Sequence, residues 1–477
     1  MWTSFCRCEW KLGLVVVACA AALVLVSIRP TAGGWNDGSR LATVEALVDY
    51  HTLAIDRSIF VDVPPSANPY RPDEPMLRKF GTADKLFIDG HFYSDKSPVP
   101  ALYLAGVYQA WQWLGGPTAR HDPRSFVWLM TLCSSGLAFV VGVWCIFRIG
   151  YPLQLVPFAR LGLAASFALG TVALTYSQNV NNHILLLGVA SALFLSIAWY
   201  ASKGPNHVSL WRVGWIGLLS GIGYSIDLGA GPVLLLAVGF WLLYRSRNLT
   251  AVVVFSLAAF PPVALHHAVN YAVGGTIIPA NAVPDYFAWP GCPFNKQNMT
   301  GTWNHTMGHF VVYSLALLFG KRGFIGHNLP LFLLIPASWH FCRQRSRLAP
   351  EILCALAWCA GTWLIYAVNS TNYSGQCLTV RWFVPLLAPS FFIVAVFLQD
   401  RPEYLSDLLL LSGWGAILSA LAWFHGPWIK HMVPLFWPIQ AACLISWCIA
   451  RRRWQQLTRS EKSQAKAGGV ANPLRAA

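Results

Sequence analysis

Charge is what this 477-residue chain has least of: Asp, Glu, Lys and Arg together make up 11% of it, and only 19 residues are acidic. So little charge across so long a chain excludes a water-soluble fold. Internal repeats are also missing, and the middles of the apolar runs are almost free of ionisable residues. Both absences count against a secondary transporter, since many transporters carry inverted repeats and charged groups near mid-membrane. No Cys-x-x-Cys is present to suggest a thiolate metal site. No segment reads as a separate soluble domain.

What is abundant is apolar: hydrophobic residues are 56% of the chain and mean hydropathy is +0.48. The expected fold is all-α, a polytopic membrane protein with about twelve spans. They lie near residues 12–29, 125–147, 159–177, 183–201, 211–227, 230–244, 249–267, 328–342, 351–368, 381–399, 407–424 and 433–450. The first is read as a retained signal anchor. Net charge is +15, but many basic residues sit at span ends, which makes them orientation signals and argues against a nucleic-acid partner. With the N-terminus inside, Arg148, Arg160, Lys203, Arg212, Arg245, Arg247, Arg343, Arg345, Arg347, Arg401 and Arg451 to Arg453 all fall on the inner face. The apolar segment Val99 to Leu114 would invert that pattern if it spanned, so it is expected to lie in the outer interface.

The outer face then collects the chemistry. The loop 30–124 opens on an amphipathic helix with Leu41, Val44, Leu47 and Val48 at helical spacing, capped by Asp37 or Ser39, and runs through a Pro-rich stretch to Asp95 and Lys96. Other outer turns bring Gln178-Asn-Val-Asn-Asn-His183, Asp227, His266, His267 and Asn270. The loop 268–327 with His305 and His309, then Asn372-Tyr-Ser-Gly375 and Arg381, complete the set. The expected organisation is a cytoplasmic N-terminus (1–11), one membrane domain (12–450) and a basic, disordered cytoplasmic tail (451–477).

These motifs resemble a family. Asp37-x-x-Arg40-x-Ala42 after the first span, then Gly90-x-x-Tyr93-x-Asp95-Lys96-x-Pro98 leading into an apolar helix, is similar to the first outer loop of GT-C type membrane glycosyltransferases. The nearest in flavour are the family 39-like protein mannosyltransferases and aminoarabinose transferases, which use polyprenyl-phosphate sugars. Gly170-Thr-x-Ala-x-x-Tyr176 running to Asn181-Asn-His183, and Arg381-Trp-x-x-Pro385-Leu-Leu, are similar to the bacterial branch. The resemblance covers roughly residues 12–400. It implies a bacterial inner-membrane enzyme with its site facing the periplasm, inverting transfer, a polyprenyl-phosphate-sugar donor, and a hydroxyl acceptor on a lipid, polysaccharide or protein. Two departures stand out. Asn36-Asp37 replaces an acidic pair, which puts metal dependence in doubt, and the second outer turn offers Asn181, Asn182 and His183 in place of an Asp-x-Asp.

Glycosyl transfer from a lipid phosphate needs a carboxylate to take the acceptor's proton and cations to hold the departing phosphate. Asp37 is expected in the first role, although a helix cap explains it as well. Lys96 and Arg381 are expected in the second, against a snorkelling lysine for Lys96; an outer-face arginine opening a span wants an anionic partner. Arg40, Tyr93, Asp95 and His183 are supporting residues. No cofactor is required by the sequence. A divalent ion is left open, with Asp95, His266, His267, His305 and His309 as candidate ligands, although interfacial histidines are more often hydrogen-bonded than metal-bound. The groove beside Val99 to Leu114 would take the lipid chain. The competing readings are a transporter, a flippase and a non-catalytic polyprenyl-phosphate-binding protein. Cys292 and Cys377 share the outer side, where pairing is permitted but not implied. The sequons at Asn298, Asn304, Asn369 and Asn372 face outward as well.

Overall fold

A computed structural model of the chain describes residues 2–203, 209–295, 299–301, 303, 305–429 and 431–467. The fold is built from helices: α1 (Trp2–Ser27), α2 (Trp35–Asp49), α3 (Pro98–Trp113), α4 (Pro123–Ile149), α5 (Pro157–Leu169), α6 (Asn182–Ser202) and α7 (Leu210–Ile226). There follow α8 (Gly231–Ser246), α9 (Leu249–Gly274), α10 (Met307–Phe319), α11 (Leu334–Arg343), α12 (Ala349–Asn369), α13 (Arg381–Asp400), α14 (Pro402–His425) and α15 (Phe436–Ala467). Among the described residues six of these, α4, α6, α9, α12, α13 and α14, are long and apolar enough to cross a membrane. In the bilayer core only a helix satisfies every backbone group within itself, so these runs fold as spans.

The main core is arranged around α13, which is buried from Trp382 to Leu398 and packs against α6 through Phe392 and Phe194, whose ring centroids are 5.6 Å apart. A second apolar cluster belongs to the first outer loop, where Leu41, Val44, Ile59, Phe60, Tyr108 and Phe126 are fully or almost fully buried. This cluster sets α2 against α3 and the start of α4, so the loop is a packed platform.

Four expectations differ from the structure. The face of α2 opposite its apolar stripe is not solvated: Asn36, Asp37, Ser39, Arg40, Thr43 and Glu45 are all buried. Neither Asp37 nor Ser39 is the N-cap of α2; Gly34 is, and Asp37 is the third helical residue. A short antiparallel hairpin, β1 (Lys85–Ile88) and β2 (His91–Ser94), interrupts the helical pattern. Its turn is Asp89-Gly90, both at positive φ (51° and 87°), as the two-residue hairpin turn requires. Lastly, α15 continues to Ala467 where disorder is expected from Arg451, because no Gly or Pro interrupts that stretch before Gly468. The rest of the tail, 468–477, and the sequons Asn298 and Asn304 lie outside the described residues.

The outer loop 268–327 contains α10, which the sequence reading leaves as loop. Its thirteen residues are fewer than the roughly 20 a straight transmembrane helix needs. Just before it, His305 Nε2 is 2.7 Å from the Ser370 carbonyl; from its middle, the Tyr313 hydroxyl donates to the Asn372 carbonyl; just after it, the Arg322 carbonyl accepts from Val380 N and Thr379 Oγ1. Both ends are therefore tied to the turn between α12 and α13, and the helix lies along that turn.

Candidate functional site

At the start of α2 the chain turns sharply after α1, and the Asp37 carboxylate reaches back to cap the turn. Its Oδ2 accepts from Gly33 N at 2.7 Å and its Oδ1 from Gly34 N at 2.8 Å. Gly33 is needed because a Cβ there would meet the Trp428 ring at 2.5 Å. Burial raises the Asp37 carboxyl to about 6, against the lowering effect of the Gly33 and Gly34 amides and of Arg40. Capping the turn leaves each carboxylate oxygen able to accept a further hydrogen bond.

One turn further on, Arg40 is buried and donates through one terminal nitrogen to the Asn36 carbonyl at 2.8 Å and to the Asn36 side-chain oxygen. Its Nε is buried and has no partner, and no carboxylate pairs with it among the described residues. Burial lowers the Arg40 guanidinium to about 10; Arg381 is the largest charge adding to that fall, while Asp95, Asp84 and Asp227 oppose it. Arg381, at the start of α13, has the same condition: its Nε is buried and unpartnered. Its side chain lies over the Trp428 ring, 5.3 Å from the centroid. The backbone around it is fixed by three contacts: Arg381 N to Ser374 Oγ (3.0 Å), Thr379 N to Tyr176 Oη (3.2 Å) and Tyr176 Oη to the Thr379 carbonyl (2.8 Å). Among the described residues neither guanidinium has a carboxylate within ion-pair distance, and the planar fork of Arg is the chemistry that binds phosphate oxygens.

The chain is similar to solved structures of ArnT from Cupriavidus metallidurans. With undecaprenyl phosphate bound, that protein is 14% identical with a TM-score of 0.49, over 93% of this chain and 73% of that one. In its apo state the values are 14% and 0.49, over 87% and 64%. The Archaeoglobus fulgidus oligosaccharyltransferase in complex with zinc and sulfate is 13% identical with a TM-score of 0.45, over 86% and 52%. No family model and no curated protein matches the chain.

Lys96 has a different environment from the two arginines. Its ammonium lies 2.7 Å from Asp84 Oδ2 and 2.6 Å from Asp95 Oδ2, all three side chains being largely buried. Asp95 is also 3.4 Å from Ser39 Oγ, which in turn is 2.6 Å from Ser94 Oγ. Burial raises the Asp95 carboxyl, and Lys96 holds it back. Two of the three Lys96 donors are therefore already committed. Tyr93 shares a small cavity with Thr43, Ser94 and Lys96. The hairpin delivers these residues: the β1–β2 register places Lys85 opposite Ser94, so Asp84 and Asp95 leave the sheet side by side.

The third part of the site is the turn before α6. His183 Nδ1 lies 2.8 Å from Asp227 Oδ2. Asp227 also accepts from Asn182 Nδ2 (2.9 Å), Gly229 N (2.9 Å), Ala230 N (3.1 Å) and the Tyr366 hydroxyl (3.3 Å), and so fixes the turn that leads into α8. Tyr366 stacks on Trp382, next to Arg381, with centroids 4.2 Å apart. Asp227 is thus joined to the anion site by one stacked pair.

The histidines named as metal ligands have other partners. His266 faces Ser97 Oγ (3.2 Å) and Asn270 Nδ2 (3.0 Å), and His267 faces the Tyr224 hydroxyl (2.9 Å) and the Ile277 carbonyl (2.8 Å). His305 and His309 do converge, Nδ1 to Nδ1 at 2.9 Å, as a pair. Among the described residues no group of three or more His, Cys, Asp or Glu is placed to hold a metal ion. Between Asp84 and Asp95 the cationic position is taken by the Lys96 ammonium. Cys292 and Cys377 are both free thiols. Asp84 has no counterpart in the sequence reading: nothing local marks it, and only the hairpin brings it to Lys96.

Proposed function

We propose that the protein is a membrane glycosyltransferase that moves a sugar from a polyprenyl-phosphate carrier to a hydroxyl acceptor at the outer face of a bacterial inner membrane. The observation that carries this reading is the pair of buried guanidiniums, Arg40 and Arg381, each with an unpartnered Nε, with Arg40 one helical turn from a buried carboxylate of raised basicity, Asp37. The sequence motifs around all three support it.

In the proposed reaction Asp37 accepts the proton of the acceptor hydroxyl while that oxygen bonds to the anomeric carbon. The bond from that carbon to the phosphate oxygen breaks, its electron pair stays on the phosphate, and the anomeric centre inverts. The phosphate gains negative charge as it leaves, so Arg40 and Arg381 bind the transition state more tightly than the donor. A general base works best with a pKa near the working pH, which suits a carboxyl of about 6. Arg40 takes the phosphate role that the sequence reading gives to Lys96, and Lys96 instead holds Asp84 and Asp95 in place.

The carrier chain has a berth near Arg381. A cavity of about 510 Å³ between α11, α12 and α13 is lined by Phe324, Leu331, Phe341, Ile352, Trp363 and Phe383. Phe383 is two residues from Arg381, whereas the pocket beside α3 is far smaller. The test is release of free polyprenyl phosphate when the purified protein meets polyprenyl-phosphate sugars and an envelope extract. Release by wild type and not by Asp37→Asn supports the reading; no release from any donor, with lipid binding intact, moves it to a scaffold or flippase.

A further inference from the structure

The turn between α5 and α6 holds a concentration of buried polar atoms that have no hydrogen-bond partner among the described residues. Thr175 Oγ1, Asn179 Oδ1, Asn181 Nδ2 and Asn182 Oδ1 all lack a partner, although the four residues are only 0%, 1%, 0% and 6% exposed. A buried polar atom without a partner is costly, and four in one turn are rare in a finished interior. The other polar ends of the three amides are anchored: Asn179 Nδ2 donates to the Thr31 carbonyl at 3.2 Å, Asn181 Oδ1 accepts from His183 N at 2.8 Å, and Asn182 Nδ2 donates to Asp227 at 2.9 Å. The amides cannot turn away without breaking those bonds, so their free ends are held in position.

The turn also touches both halves of the site. A Cβ on Gly33, which donates to Asp37, would stand 3.3 Å from Asn179 Nδ2, and Asn182 is bonded to Asp227. Tyr176, in the same turn, holds Thr379 and so positions Arg381.

Resting on the transferase reading above, we propose that the turn Thr175 to His183 binds the sugar of the donor, and that the sugar is uncharged. The free atoms are amide oxygens, an amide nitrogen and a hydroxyl, a mixture that matches sugar hydroxyls, each of which donates and accepts. From Thr175 to His183 there is no Lys, Arg, Asp or Glu. The nearby carboxylate, Asp227, is already surrounded by His183, Asn182, Tyr366 and two backbone amides. A sugar ammonium would find no carboxylate on the turn itself beyond the enclosed Asp227, would pair with Asp37 only at the expense of the proposed base, and would face Arg40 and Arg381; a sugar carboxylate would compete with the phosphate for the same two guanidiniums.

The test compares full-length protein in nanodiscs binding three probes: bare polyprenyl phosphate, a polyprenyl-phosphate hexose, and the matching amino-sugar lipid. Wild type is expected to bind the hexose lipid about 10-fold more tightly than the amino-sugar lipid. Thr175→Val, which keeps shape and removes only the hydroxyl, and Asn179→Ala are each expected to weaken hexose-lipid binding roughly 10-fold and leave bare polyprenyl phosphate unchanged. Equal binding of the hexose and amino-sugar lipids, or equal loss for sugar-bearing and bare lipid in both variants, overturns the assignment; the latter result means water or structure alone accounts for the free atoms. Failure of wild type to bind bare polyprenyl phosphate would instead remove the transferase reading, and the sugar assignment with it.

Discussion

Arg381 exerts the strongest charge effect on Arg40, and the Nε of each is buried without a partner. Two positive groups kept together in a dry interior repel each other, a cost that an anion between them offsets. On the proposed reading the arrangement is a phosphate site held ready at the expense of stability.

Arg381→Gln should therefore raise Tm while weakening polyprenyl-phosphate binding by roughly 100-fold, the loss of one or two charge-assisted hydrogen bonds. Thermal unfolding and lipid binding on the same preparation check both halves. A variant that loses stability and keeps affinity would assign Arg381 a structural role.

Asp37→Asn should lower kcat by about 1,000-fold, within the usual range for a lost general base, with donor affinity retained. Wild-type activity should fall on the acid side of about pH 6, where the carboxyl takes up its proton. An acid limb absent from the wild-type profile would exclude Asp37 as the base.

Lys96→Gln should cost about 3 kcal/mol of stability, because it leaves Asp84 and Asp95 buried without a cation. Adding Asp84→Asn to that variant should restore part of the loss. Lipid-phosphate affinity should fall less than in Arg381→Gln, and the reverse ranking would return Lys96 to the phosphate site.

Glu45 lies in α2 with its Oε2 bonded to Ser58 Oγ (2.6 Å) and Ile59 N (3.0 Å) while Oε1 has no partner, and burial raises its carboxyl to about 7. The folded pKa exceeds the unfolded one, so the protonated form is the stabilising one. That contribution is complete below about pH 4 and is lost as pH rises to about 7, a change of about 3 kcal/mol. Glu45→Gln should flatten this part of the stability profile, measured as Tm against pH. A variant with the wild-type slope would place the proton elsewhere.

The helical membrane fold was legible because long apolar runs leave the backbone no other solution in a bilayer. The hairpin was also marked, by Asp89-Gly90, but the helical rhythm around it hid the signal. Helix α10 was not legible, since thirteen residues fall short of a span and its anchors, Ser370, Asn372 and Val380, lie far along the chain. In the site, local motifs pointed to Asp37, Lys96 and Arg381. They could not separate the roles of the cations, because what distinguishes Lys96 from Arg40 is a carboxylate, Asp84, delivered by tertiary folding.

Helix α10 turns Val311, Val312, Leu315 and Phe319 outward, each more than half exposed, while its other face grips the turn that leads into Arg381. On the proposed topology it would rest on the outer leaflet like a float attached to the proposed phosphate site. The depth at which that leaflet's hydrocarbon begins would then set the height of the turn, making lipid chain length a variable in how the two arginines meet their anion.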